Sequence, residues 1–175
     1  GSHLQNYDSM LMLSHFKGHA MAGLGGALKN ISIGIASTQG KAYIHTAGVT
    51  TDAAELWSKL PPQDHFLESM ADACQAIIAY KGAENMVYIN VANRLSVDCD
   101  CSANPAEPEM ADLGIFASLD PVAVDQACYD AVLNSPDPGK KALIERMESK
   151  HGIHTVEAAA QLGLGNREYE IVSLD

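Results

Sequence analysis

Residues Met10–Leu13 read MLML, four apolar positions without a polar interruption. Such a run lacks the alternation of a strand with one wet face. It reads as a strand buried on both faces, as in a parallel sheet. Further candidate strands are KAYIH (Lys41–His45), NMVYINV (Asn85–Val91) with RLSVDCDC continuing extended, ADLGIFAS (Ala111–Ser118), and a terminal REYEIVSL. Helical signals alternate with them. After the break at Pro61 and Pro62, apolar residues Phe66, Met70, Cys74, Ile77 and Ile78 recur at three- and four-residue steps, which predicts a helix from Gln63 or Asp64 to Lys81. Asp120 followed by Pro121 is a cap and first-turn signature for a second helix. Two more are expected near Lys140–Lys150 and His154–Leu162, and Ser102–Met110 is expected as a loop. The alternation gives an α/β fold, with a mixed or mostly parallel sheet flanked by helices. At 175 residues, one domain spanning 1–175 is expected.

Charge narrows the function classes. The net charge of −11 argues against a nucleic-acid groove and against an anionic membrane surface. No apolar run approaches the roughly 20 residues of a membrane helix. Nothing resembles a signal peptide, so a cytoplasmic location is expected. Yet no acidic residue occurs from His15 to Thr51, which leaves room for a small anionic ligand. The four cysteines, Cys74, Cys99, Cys101 and Cys128, are too few and too irregular for a disulfide framework. They also lack the C-x-x-C-x-x-C spacing of a local iron–sulfur cluster.

The stretch SHFKGHAMAGLGGALKNISIG (Ser14–Gly34) holds two histidines, two lysines and five glycines. It is not a P-loop, because Lys29 follows Leu28 and precedes Asn30. It is not a dinucleotide fingerprint either, because Leu28 stands where the third glycine would be. Gly23, Gly25 and Gly26 would let backbone approach a ligand, and a helix starting near Gly25 would turn free N–H groups towards an anion. His15, Lys17 and His19 would lie at the carboxyl end of the first strand, where open α/β sheets bind ligands. Lys29 and Asn30 would follow within one turn. A tight turn that only packs strand on helix is the plainer alternative. In VDCDC, Cys99 and Cys101 would share one strand face and Asp98 and Asp100 the other. The thiols would be half of a soft-metal site, a redox pair, or simply buried small residues. Cys74 and Cys128 read as core. Asp125 reads as solvated or paired, or else facing the site.

LSHFKGHAMAGLGGALKN, SVDCDC and DLGIFASLDPVAVDQAC together resemble the domain-of-unknown-function family 362 over nearly the whole chain. That resemblance implies an often longer protein with another α/β region before this one, so the chain looks like a carboxyl-terminal part. Members are often described as Fe–S centre proteins or are fused to ferredoxin-type domains. A more distant likeness is to nickel-dependent lactate racemases, through the order His19, Lys29, His45 at separations of ten and sixteen residues. It implies His19 as acid/base, Lys29 as cofactor anchor and His45 as a metal ligand.

The residues and the resemblances together lead to one expected site. Its catalytic residues are His19 and Lys29, its ligand-binding residues His15, Lys17, Gly23, Gly25, Gly26 and Asn30, and its metal ligands His45, Cys99 and Cys101. It would bind a small anionic ligand or a metal-bearing cofactor for proton-transfer or redox chemistry, as a racemase or isomerase-like enzyme or an oxidoreductase. A transition metal, or an Fe–S cluster supplied by another domain, would be the cofactor. The alternative is an electron-transfer or partner-binding module that works with a ferredoxin-type domain or with the preceding half of the protein.

Overall fold

The computed structural model describes residues 1–174. In chain order the elements are β1 (Met10–His15), β2 (Lys17–His19), β3 (Gly23–Gly25), α1 (Ala27–Lys29) running into a π-helical turn (Asn30–Gly34), α2 (Thr38–His45), α3 (Gln63–Lys81), β4 (Met86–Ala92), β5 (Gly114–Ser118), α4 (Pro121–Asn134), α5 (Lys140–Ser149) and α6 (His154–Gln161). The main sheet has the order β1-β4-β5. β1 and β4 run parallel, from Met10 opposite Met86 to His15 opposite Val91, and β5 is antiparallel to β4. The sheet is therefore mixed and the class α/β, as read from the alternation. β2 and β3 form a separate antiparallel pair.

The sheet is covered on one face only. Met12, Ser14, Met86, Tyr88, Asn90 and Ala92 point into the core, with Leu28, Ile31, Cys74, Val122 and Val156 of the helices among the buried residues there. On the other face Leu11 and Leu13 are 61% and 60% exposed, and Val87 and Ile115 are exposed as well. This corrects the expectation of burial on both faces. The MLML run does carry two apolar faces, but the helices pack against one of them.

Other sequence expectations divide by how local their signals are. The helix predicted from Gln63 to Lys81 is α3, and Asp120 caps α4 by accepting from the N–H groups of Val122 and Ala123. KAYIH is not a strand. It is the last part of α2, whose cap is Ser37 Oγ, accepting from Gly40 N at 3.1 Å. RLSVDCDC does not continue extended after β4; Arg94 takes φ 45° and the chain turns. The REYEIVSL tail has no strand partner and is largely exposed to residue 174.

One buried carboxylate joins α4 to α1. Asp125 is fully buried, and its Oδ1 and Oδ2 accept from Ala27 N at 2.7 Å and Leu28 N at 3.0 Å. Asn90 Nδ2, from the centre of β4, donates to the same Oδ1 at 2.7 Å. Burial pushes the Asp125 pKa up to about 6 against the pull of these hydrogen bonds. Gly26 is required here, because a Cβ would strike the carboxylate. Replacing Asp125 by alanine strands three buried donors, each costing about 1–3 kcal/mol. Urea unfolding is expected to show a loss of about 3 kcal/mol or more, and a loss below about 1 kcal/mol would contradict the cap.

Candidate functional site

The candidate residues gather around the carboxyl ends of the two parallel strands. β1 ends at His15, and the chain beyond β4 returns as the 98–101 loop. Alternation in that loop does the positioning. Asp98 Oδ1 accepts from Arg146 Nη1 at 3.1 Å, and its Oδ2 accepts from Ala106 N. Asp100 meets His15 Nδ1 at 3.0 Å and Lys17 Nζ at 3.6 Å. His15 Nε2 also donates to Asn93 O at 2.7 Å. Both aspartates are thus tied to cations or donors on flanking elements. The loop is further pinned at Gly18, whose N–H donates to Ser96 O at 2.8 Å and where any Cβ would collide with the Val97 backbone.

The two thiols between the aspartates meet each other. Cys101 Sγ lies 2.8 Å from Cys99 Sγ, and Cys101 N donates to the Cys99 sulfur at 3.4 Å. Burial opposes ionisation of Cys99, but the hydrogen bonds from Cys101 and the charge of Lys17 outweigh it and hold its pKa below the ordinary thiol value. Cys101, as the donor beside a developing thiolate, is pushed up. The pair is therefore asymmetric, with Cys99 the more readily ionised thiol and Cys101 the less. Cys74 and Cys128 are buried and pushed up by desolvation, as core cysteines are.

His19, Cys99 and Cys101 each present a ligand atom within 4.8 Å of the others, and these are the residues that could hold a soft metal ion. The histidine is oriented against that role. Its Nδ1 accepts from the backbone N–H groups of Met21 and Ala22 at 3.1 and 3.0 Å, so the proton of the neutral ring sits on Nε2. Metal-bound histidines ordinarily donate from the second nitrogen instead. Burial, then the charges of Lys29 and Lys17, lowers the His19 pKa from 6.5 to about 3. Near neutral pH this ring is an uncharged Nε2–H donor, a different role from an acid/base titrating at working pH. His45 has the opposite arrangement. Its Nδ1 donates to Lys41 O at 2.7 Å and leaves Nε2 free, while the ring stacks on Phe66. It stands outside the His19–Cys99–Cys101 group.

Beside the thiols lies an open cleft of about 290 Å³, lined among others by His15, Lys17, Gly25, Lys29 and Lys41. Burial, partly offset by the two cysteines, lowers the Lys29 pKa, and Lys17 and Lys41 lower it further. Gly26 and Asn30 line the same cleft and also make contacts within the fold, while Gly23 is not among its lining residues. Gly23 has φ 76° and packs against Gly152, Gly26 faces Asp125, and Asn30 ties the π-helical turn to Leu13 O and Ser14 Oγ. The N–H groups expected to meet a ligand anion at the helix start instead meet the carboxylate of Asp125.

The model of the family described as domain of unknown function (DUF362) matches residues 1–130. The chain belongs to the DUF362 family. The matched stretch holds the glycine-rich segment, both loop aspartates, both loop cysteines and Asp125; Arg146 lies beyond it. No curated protein and no solved structure matches the chain, so the likeness to lactate racemases has no match behind it. Gly18, Asn90 and Arg146 went unread in the sequence of this DUF362 chain, because each works through a distant segment.

The His19 geometry has a consequence for pH. The unfolded ring takes up a proton below about pH 6.5, whereas the folded ring does so only near pH 3. Stability is therefore expected to fall as pH drops from about 6.5 towards 3. The same ring should show no NMR titration between about pH 5 and 8. His19→Gln should flatten the stability slope, and an imidazole midpoint near pH 6.5 would contradict the assignment.

Proposed function

We propose that this domain binds a small anionic ligand in the lysine-rimmed cleft and performs two-electron thiol–disulfide chemistry through Cys99 and Cys101. The observation that carries the reading is the pair of free thiols 2.8 Å apart with opposite pKa shifts, beside Lys17 and Lys29. The substrate class that fits both features is a small disulfide bearing carboxylates. The Cys99 thiolate attacks one sulfur of that disulfide and expels a thiolate. The departing thiolate takes the Cys101 proton. The Cys101 sulfur then attacks Cys99 Sγ and expels the second thiolate. The protein ends as a Cys99–Cys101 disulfide and the substrate as one thiol and one thiolate, which takes its proton from water, with two electrons transferred. Lys17 and Lys29 hold the carboxylates, and His19 Nε2–H supplies a neutral donor beside the sulfurs.

A second reading keeps the same thiols as ligands of a soft metal or of a metal-bearing cofactor. The grouping of His19, Cys99 and Cys101 supports it, and the hydrogen bonds at His19 Nδ1 oppose it. The uncovered sheet face supports a partner as well. Its apolar residues suit packing against another α/β layer, the preceding region that the family resemblance implies.

The test is oxidation of the reduced protein by oxidised glutathione, with an uncharged dialkyl disulfide for comparison. A mass loss of about 2 Da is expected, faster with the anionic oxidant. Lys29→Gln should remove at least half of that preference on a logarithmic scale, Cys101→Ser should trap a mixed disulfide, and Cys99→Ser should not react at Cys101 at a comparable rate. No mass loss, or equal rates for both oxidants, overturns the reading. Zinc retained through dialysis by the parent and lost in Cys99→Ser would favour the metal reading instead.

A further inference from the structure

A second cluster of imidazoles and carboxylates stands apart from the cleft, on the turn before α6, on α6 itself and on the facing side of α3. His151 Nδ1 lies 2.8 Å from Asp64 Oδ1, and His154 Nε2 lies 3.1 Å from Glu68 Oε1. His154 Nδ1 is 3.7 Å from Glu157 Oε2, and the two imidazole rings stack at 4.8 Å. Ligand atoms of His151, His154 and Glu157 all fall within 4.8 Å of one another. None of these three residues lies in the stretch matched by the family model.

We propose that His151, His154 and Glu157 form a binding site for a borderline divalent transition-metal ion, of which zinc is the type. The hydrogen bonds favour it in the way that those of His19 oppose it. Each imidazole has one nitrogen on a carboxylate of α3, which fixes that nitrogen as the protonated one and leaves the other with a free lone pair. This is the carboxylate–histidine–metal arrangement. The free donors are then His151 Nε2, His154 Nδ1 and Glu157 Oε2. Tetrahedral ligands at 2.0–2.1 Å from zinc sit about 3.4 Å apart, close to the 3.7 Å between His154 Nδ1 and Glu157 Oε2. Three protein ligands leave a fourth position open to water.

Charge and rigidity agree with this reading. Among the described residues, Asp64, Glu68 and Glu157 pair with one fixed cation, Arg167, which holds Glu157 Oε1 at 3.0 Å and leaves Oε2 towards His154. With neutral imidazoles the cluster is short of two positive charges, which a divalent ion supplies. The turn is fixed before any metal arrives. His151 takes φ 51°, Gly152 N donates to Met147 O at 2.7 Å, and Gln63 Nε2 donates to Lys150 O at 2.8 Å. These bonds hold the His151 backbone in place at the end of α5.

The thiol pair must be removed from the test so that the two sites report separately. Calorimetric titration of zinc into Cys99→Ser/Cys101→Ser protein is expected to show one equivalent bound, with a rise in melting temperature. Cobalt(II) should give visible d–d bands without a sulfur charge-transfer band. Glu157→Gln and His151→Asn should each weaken zinc binding at least about tenfold, as should Asp64→Asn, which removes the carboxylate that orients the His151 ring. Asparagine tolerates the left-handed backbone at 151, so that variant keeps the turn. Far-UV circular dichroism checks that each variant folds. Absence of a bound equivalent in the thiol-free protein, or unchanged affinity in both Glu157→Gln and His151→Asn, overturns the proposal. Neither outcome bears on the dithiol.

Discussion

Three donors converge on the carboxylate of Asp125: the first two N–H groups of α1 and the amide of Asn90. A helix start leaves its N–H groups without partners, and inside a core each unpaired donor is costly. Asp125 removes that cost from a position 98 residues away in sequence and couples α4, β4 and α1 in one contact. Lys29 and Asn30 follow directly on the capped turn. The place of the lysine against the cleft, and of Asn30 against the end of β1, therefore depends on this buried acid. Gly26 is its counterpart, the one residue type that lets the carboxylate come so close.

A second constraint acts on the facing wall. In VDCDC, aspartates and cysteines alternate, and the aspartates are tied to Arg146 on one side and to His15 and Lys17 on the other. Between these two anchored acids the sulfurs lie 2.8 Å from each other. The chain carries a net charge of −11, yet Lys17, Lys29 and Lys41 line this one cleft. Lys17 serves twice, as a clamp on Asp100 and as a charge that favours the Cys99 thiolate. In the proposed chemistry, anion affinity and thiol activation draw on the same side chain.

Local signals made much of the fold readable. The spacing of Phe66, Met70 and Cys74 marks α3, and Asp120 with Pro121 marks the start of α4, because caps and periodicity act within a few residues. KAYIH misled because Ser37, the cap of that helix, lies four residues before it, and MLML misled because an apolar run cannot tell which face a helix will cover. The gathering of candidate residue types at the ends of strands was legible. What each residue does there was not. The tautomer of His19 is set by the backbone of Met21 and Ala22, the need for glycine at 18 by Val97, and the work of Asp125 by a helix on another part of the chain. The partners of Gly18 and Asp125 are distant in sequence, and those of His19, two and three residues on, are backbone groups that leave no mark in the pattern of side chains.

In the proposed dithiol chemistry the clamped loop makes Cys99 the more nucleophilic thiol. Access alone would favour Cys101, which is the more exposed of the two. The decisive measurement is competitive alkylation of the reduced protein across about pH 6 to 10, with each cysteine followed separately by peptide mass spectrometry. The account predicts that Cys99 is alkylated first, with an inflection below the ordinary thiol value of about 8.5. Faster reaction at Cys101, or two equal rates with an ordinary inflection, would contradict it.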